Sequence, residues 1–308
     1  MVKKLTSMYR KLDAGSLLRK FGIMPNKELC AITQLTPAGF LQTIRIGKLL
    51  RSKYSSFLSN IRKQDIYVRT TERSRTVQSA VGFLYGLLDE VELPPFKVSA
   101  STNFCSTKWT LIDKCFCKKR KVLQKASKLN ETLRNIPEIV DNLMAHKCND
   151  VNFDHPVSER LADEYWTLLD DTGAAQLKNE EFFKLHKLLA HPFLCELSLR
   201  MFNATKDSKL TPKIALYSGH DLTIKSVLTA LGLFDGRWPS FAARVVFELY
   251  ETPEGRHQVR ILYNGIDISD KAFFCRPNCS LNNFVKFCKI DNLKQFRSAK
   301  SYRDACDS

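Results

Sequence analysis

No run of about 18 consecutive apolar residues occurs in the chain, so these 308 residues encode no transmembrane helix. The first twenty, MVKKLTSMYRKLDAGSLLRK, have no apolar core, which excludes a secretory signal peptide there. No internal repeat is present, which sets aside repeat architectures. Paired C-x-x-C units are missing. Cys115-Phe-Cys117 and Cys275-x-x-x-Cys279 have other spacings than a zinc site wants, so no metal and no cofactor is expected. The densest basic run, Lys118-Lys119-Arg120-Lys121, has no interleaved aromatics and no nucleic-acid motif around it. It reads as a solvated helix face, and nucleic acid is not an expected partner.

What is present is an ordinary globular composition, 44% hydrophobic and 26% charged. The length suits one large α/β domain with an insertion, or two domains. The formal net charge is +16, which points to a polyanionic partner, such as an anionic lipid or a sulfated or phosphorylated glycan. The cysteine count is even, at ten: Cys30, Cys105, Cys115, Cys117, Cys148, Cys195, Cys275, Cys279, Cys288 and Cys306. Together with N-x-S/T sequons at Asn130, Asn203 and Asn278, it favours disulfides and a lumenal or extracellular life. That reading conflicts with the missing entry signal.

The organising stretch is KIALYSGHDLTIKSVLTALG at 213–232. Ile214–Tyr217 is an apolar run of strand length. Ser218–Asp221 is a polar break. Leu222 onward sets Ile224, Val227, Leu228 and Leu231 on one helical face, with Gly232 at the C-cap. A strand that passes straight into a helix presents the intervening residues at the carboxyl end of a sheet, where open α/β sheets carry their sites. The helix N-terminus there favours an anion. His220 could donate to a phosphate oxygen and Asp221 could protonate a departing alkoxide. Equally, Asp221 could be a plain helix cap and His220 a loop residue.

The same arrangement occurs once more. Ile66-Tyr-Val68 reads as a short buried strand, and Val77, Ala80, Val81, Leu84, Tyr85 and Leu88 share one helical face. Arg75 stands between them, near the helix start. Guanidinium suits bidentate binding of phosphate oxygens. Further on, Thr36 caps a helix with Pro37 in its first turn and Phe40, Ile44, Gly47 and Leu50 on its inner face. After Pro94-Pro95 the sequence reads as mainly helical, with segments around Glu159–Asp171, Glu180–Leu189 and Leu194–Phe202. RVVFELY at 244–250 and HQVRILY at 257–263 read as a hairpin, Asn264-Gly265 as a turn, and Leu281–Ile290 as a helix capped by Ser280. The expected organisation is a basic segment 1–28, an α/β core of 29–98 and 196–308, and a helical cap insertion 99–195.

LTPAGFLQTIRIGKLLRSKY at 35–54, VRTTERSRTVQSA at 68–80 and YSGHDLT at 217–223 together resemble the histidine acid phosphatase family. The stretches 228–250 and 259–268 and the terminal Asp304-Ala-Cys306 carry a closer similarity, to a member acting on the glycosaminoglycan linkage region. The resemblance implies a three-layer α/β/α sheet with a helical cap, and a phosphomonoesterase acting on a phosphorylated glycan. It also implies a Golgi-lumenal or secretory-pathway location. Carried over by motif, it makes Arg75 and His220 phosphate-binding residues and Asp221 the proton donor.

The family's nucleophilic histidine lies in an N-terminal Arg-His-Gly-x-Arg motif, and these 308 residues contain none. Arg256-His257-Gln258-Val259-Arg260 has a similar spacing but falls in a strand downstream of His220. It is not read as the nucleophile. His146, His155, His186 and His191 lack the context too. The expectation is a truncated chain whose first strand is missing, with a membrane anchor only if a longer N-terminus exists. A shortened gene model, an alternative isoform and a true pseudoenzyme each account for it. The alternative function is a catalytically inactive glycan- or phosphate-binding protein.

Overall fold

The computed structural model describes residues 34–88, 93–99, 101–104, 117–126, 156–207, 211–296 and 299–307. They form two units. One lies within Met1–Ser106 and Phe202–His220, the other within Thr107–Met201 and Asp221–Ser308.

The first unit is built on a three-stranded parallel sheet, with β1 (Ile66–Thr71) between β2 (Phe96–Ser99) and β3 (Ile214–Ser218). Helix α1 (Pro37–Lys53) starts as the sequence requires, with the Thr36 hydroxyl accepting from the Gly39 N–H at 3.0 Å. Helix α2 (Ser74–Leu88) follows β1 and presents Val77, Ala80, Val81, Leu84 and Leu88 to the core. Of these, Ala80, Val81, Leu84 and Leu88 pack with Phe40, Ile44, Ile66 and Val68 into one apolar cluster. The two helices cross at very short range. A Cβ on Gly47 would stand 2.1 Å from the Phe83 carbonyl oxygen, and one on Gly86 would stand 2.1 Å from that of Ile44.

Strand β2, at the edge of the expected α/β core, is an element the sequence did not announce. Four residues are too few to show a period by themselves. The open edge of β1 recruits them, pairing Val68 with Phe96 and Thr71 with Ser99.

The second unit holds helices α3 (Lys118–Ala126), α4 (Pro156–Gln176), most of α5 (Glu180–Lys206), α6 (Asp221–Leu231), α7 (Leu281–Lys289) and α8 (Tyr302–Asp307). Its sheet is antiparallel: β4 (Val245–Glu251), β5 (His257–Tyr263) and β6 (Ile266–Asp267). Helix α6 ends in a Schellman motif. Gly232 has φ +75°, the Leu233 N–H reaches the Leu228 carbonyl at 2.8 Å, and the Gly232 N–H reaches that of Thr229 at 3.1 Å. Asn264 and Gly265 both take positive φ, the turn the hairpin period demands. Ser280 caps α7 through the Asn283 N–H. Among the described residues, disulfides join Cys117 to Cys306 and Cys275 to Cys279.

Helix α5 corrects an expectation. The segments 180–189 and 194–202 are one helix that runs through Pro192. Proline has no N–H to offer the carbonyl four residues back. That carbonyl, on Leu188, instead accepts from the Arg120 guanidinium at 3.1 Å and the Tyr302 hydroxyl at 3.2 Å. Groups 68 and 114 residues away in sequence thus remove the cost that would have split the helix. The chain is a mixed α/β protein, as its alternating periods indicated. No helix among the described residues is long and apolar enough to cross a membrane.

Candidate active site

Parallel register brings together the candidate residues of the first unit. Arg69 of β1 lies level with Tyr217 of β3, and Thr70 with Ser218. The two strands therefore end side by side, and the residues that leave them meet. Arg75 is the second residue of α2 and is half-buried; His220 is the second residue after β3 and is also half-buried. The Arg75 Nη2 and His220 Nδ1 atoms are 3.5 Å apart, and His220 Nε2 is 2.9 Å from the Thr71 hydroxyl.

Donor counting fixes the proton. A guanidinium only donates, so His220 Nδ1 accepts from Arg75 and Nε2 carries the hydrogen given to Thr71. The Thr71 hydroxyl then donates to Thr76 Oγ1 at 2.9 Å, and the Thr76 hydroxyl to the Arg73 carbonyl at 2.8 Å. Ser218 Oγ donates to the Thr76 carbonyl at 2.7 Å and ties the end of β3 to the start of α2. The imidazole thus lies between a cation and a buried hydroxyl relay. Arg69, only 7% exposed, donates to Ser99 Oγ at 3.3 Å, with its guanidinium 5.5 Å from the Phe104 ring centre.

Asp221 belongs to the second unit and opens α6. Its carboxylate is exposed and accepts twice: from the Leu222 N–H at 2.8 Å and from the Trp238 indole N–H at 2.7 Å. One turn along, Lys225 is fully buried. Its ammonium donates to Gln176 Oε1 at 2.8 Å and lies 4.4 Å from the Trp238 ring centre, with Phe182 and Phe234 also around it. Burial pulls its pKa down to about 8, and the Asp221 charge opposes the drop. A caged cation thus seats the indole that holds Asp221.

Sequence reading singled out Arg75, His220 and Asp221 and missed Thr71, Thr76, Ser218, Lys225 and Trp238. Thr71 and Ser218 are the last residues of apolar strands, which is the only signal they offered. The partnership of Trp238 and Lys225 with Asp221 carries no period at all. Asn203, on α5, and Asn278, inside the Cys275–Cys279 loop, are exposed. Asn130, His146 and His155 lie outside the described residues. His257 begins β5, paired with Glu251, away from any helix start.

The sequence pattern of the histidine phosphatase superfamily (branch 2) matches residues 25–180 and 105–264. The chain belongs to that family, and so to the phosphomonoester hydrolases. The human protein "2-phosphoxylose phosphatase 1" is 33% identical in an alignment 337 positions long, gaps included, that covers 94% of this chain and 69% of that one. The mouse "Lysophosphatidic acid phosphatase type 6" is 25% identical, over 89% of this chain and 70% of its own. Among solved structures, a phytase from Citrobacter braakii superposes with a TM-score of 0.55 at 13% identity, covering 86% of this chain and 90% of that one, a likeness of fold.

Proposed function

We propose that this protein removes a phosphate monoester from a sugar of a glycan, with the 2-phosphate of xylose in the glycosaminoglycan–protein linkage region as substrate. Arg75 and His220 bind the non-bridging oxygens, and Asp221 protonates the departing sugar oxygen. The observation that carries this is the hydrogen-bonded Arg75–His220 pair. Two cationic or proton-donating groups converge at the carboxyl ends of parallel strands, each where a helix begins and an anion is favoured. Arg75 supplies fixed charge where it spreads over the transferring phosphoryl group. His220 gives a hydrogen bond once its Nδ1 takes a proton. The net charge of +16 suits an acidic polysaccharide. Secretory-pathway residence fits this substrate, the sequons at Asn130, Asn203 and Asn278, and the disulfides.

The same motif set leaves one role unfilled, because covalent phosphoryl transfer needs a nucleophilic histidine and the 308 residues hold no Arg-His-Gly-x-Arg. That favours a second reading for the chain by itself: a phosphate-binding form with little turnover. One experiment separates the two. Phosphate release from a xyloside 2-phosphate is measured for the protein isolated from its source and for the recombinant 308-residue chain, each beside Asp221→Asn. The native protein should turn over, and Asp221→Asn should slow it by roughly 10²–10⁴-fold on an alkyl leaving group, much less on a nitrophenyl one. The 308-residue chain should be orders of magnitude slower. Fast release by that chain would place a nucleophile within it, with His257 the first to mutate. Slow release by the native protein would sink the phosphatase reading.

A further inference from the structure

Two cysteines of the second unit, Cys195 and Cys288, stand outside the two disulfides described. Cys195 is on α5 and half-buried; Cys288 is on α7 and 1% exposed. The Cys195 thiol donates to the Cys288 carbonyl at 3.4 Å, and the two thiols are near enough to shift each other's ionisation. One turn before Cys195, His191 brings its Nε2 to 3.5 Å from the sulfur.

That imidazole is held from two sides. Asn292 Nδ2 donates both to His191 Nδ1, at 3.1 Å, and to the Lys187 carbonyl, at 3.3 Å. The Tyr302 ring lies parallel to the imidazole at 5.0 Å between centres, with planes 1° apart. Since Nδ1 accepts from Asn292, the ring hydrogen is on Nε2 and points at Cys195. An N–H aimed at sulfur favours the thiolate. At Cys288 burial comes first and Cys195 adds to it; together they outweigh the Ser198 hydroxyl, which works the other way, and raise the thiol well above the ordinary range. The pair is therefore unequal: one reachable sulfur with a donor beside it, and one sealed sulfur behind it.

We propose that Cys195 and Cys288 close a further disulfide, between α5 and α7, by exchange in which Cys195 attacks first and Cys288 resolves. The oxidant is a disulfide, RSSR, of the glutathione or disulfide-isomerase class. The Cys195 thiolate bonds to one sulfur of RSSR and expels RS⁻, which takes up the proton Cys195 gave up. The Cys288 sulfur then bonds to the Cys195 sulfur, breaks the mixed disulfide, and passes its proton to the second RS⁻. Two protein thiols lose two electrons and RSSR becomes two RSH. Burial of Cys288 sets the order, since an external disulfide reaches only Cys195.

The test is made on protein secreted from a eukaryotic host. Free thiols are blocked with N-ethylmaleimide without reduction, and the digest is mapped by mass spectrometry. A peptide pair joined through Cys195 and Cys288 is expected beside the Cys117–Cys306 pair. Maleimide on both Cys195 and Cys288 with Cys117–Cys306 intact overturns the proposal, as does either cysteine joined elsewhere. The order of attack is read from refolding of reduced protein in a glutathione buffer. His191→Gln should slow closure of this bond by about ten-fold and leave Cys275–Cys279 unchanged; equal rates overturn the assigned role of His191. Should that variant not fold, Cys195→Ser replaces it. Cys288 is then expected as a single thiol that maleimide reaches only after denaturation, and labelling before denaturation overturns the order of attack.

Discussion

His186 is fully buried beside Phe182, whose ring centre is 4.2 Å away. Its Nδ1 is 3.0 Å from Ser226 Oγ, and because that hydroxyl already donates to the Leu222 carbonyl, Nδ1 carries the hydrogen. Its Nε2 has no hydrogen-bond partner among the described residues. Burial, with the Lys225 charge adding to it, drops the pKa to about 3. The folded state therefore binds fewer protons than the unfolded one between pH 6.5 and 3, and stability falls as pH falls through that window. Between pH 7.5 and 5.0 this one group removes about 2 kcal/mol. His186→Asn keeps an N–H for Ser226 and has nothing to protonate. Urea denaturation at the two pH values should show the variant losing about 2 kcal/mol less than the parent on acidification. Equal losses would mean His186 takes up a proton in place.

At the scale of elements, glycine decides how α1 and α2 meet. Intrinsic helix preference favours alanine over glycine by about 1 kcal/mol. At Gly47 the Phe83 carbonyl and the Leu87 N–H, 2.1 and 2.9 Å from a built Cβ, stand in the way. Neither is a side chain that can swing aside. Overpacking of this kind costs about 1–3 kcal/mol or more, so the packing term wins. At 2.1 Å from a backbone oxygen the cost belongs at the upper end of that range, so Gly47→Ala should destabilise by about 2 kcal/mol net. Gly39→Ala meets the movable end of the Leu35 side chain at 3.0 Å and the capping Thr36 hydroxyl at 3.2 Å, no backbone atom, and should be neutral or mildly stabilising. Chemical denaturation of the two variants side by side decides the matter, and similar behaviour would refute the close crossing.

At the scale of the whole chain, the two disulfides differ in reach. Cys117–Cys306 spans 189 residues and Cys275–Cys279 spans 4. If constraint of the unfolded chain dominates, the long bridge contributes about 5 kcal/mol and the short one about 2. Replacing Cys117 and Cys306 by serine should therefore lower the Tm by clearly more than replacing Cys275 and Cys279. The reverse order would show that local geometry at the tight loop outweighs chain entropy.

The sequence by itself determined the elements whose signals are local. The Thr36-Pro37 start, the Gly232 stop, the Asn264-Gly265 turn and the two hairpin strands depend on residues within a few positions of each other. The placement of Arg75, His220 and Asp221 where a strand gives way to a helix was legible for the same reason, since strand, polar break and helix start are written in consecutive residues. Tertiary structure alone decided what depends on distant partners. Strand β2 exists because β1 offers an open edge. Helix α5 continues through Pro192 because Arg120 and Tyr302 satisfy the Leu188 carbonyl. The hydroxyl relay behind His220 forms because two strands 143 residues apart (Thr71 against Ile214) run in register. Trp238 reaches Asp221 across 17 residues of turn and helix. A hydrogen-bond partner in space leaves no period in sequence, which is why such contacts can be read only once the chain has folded.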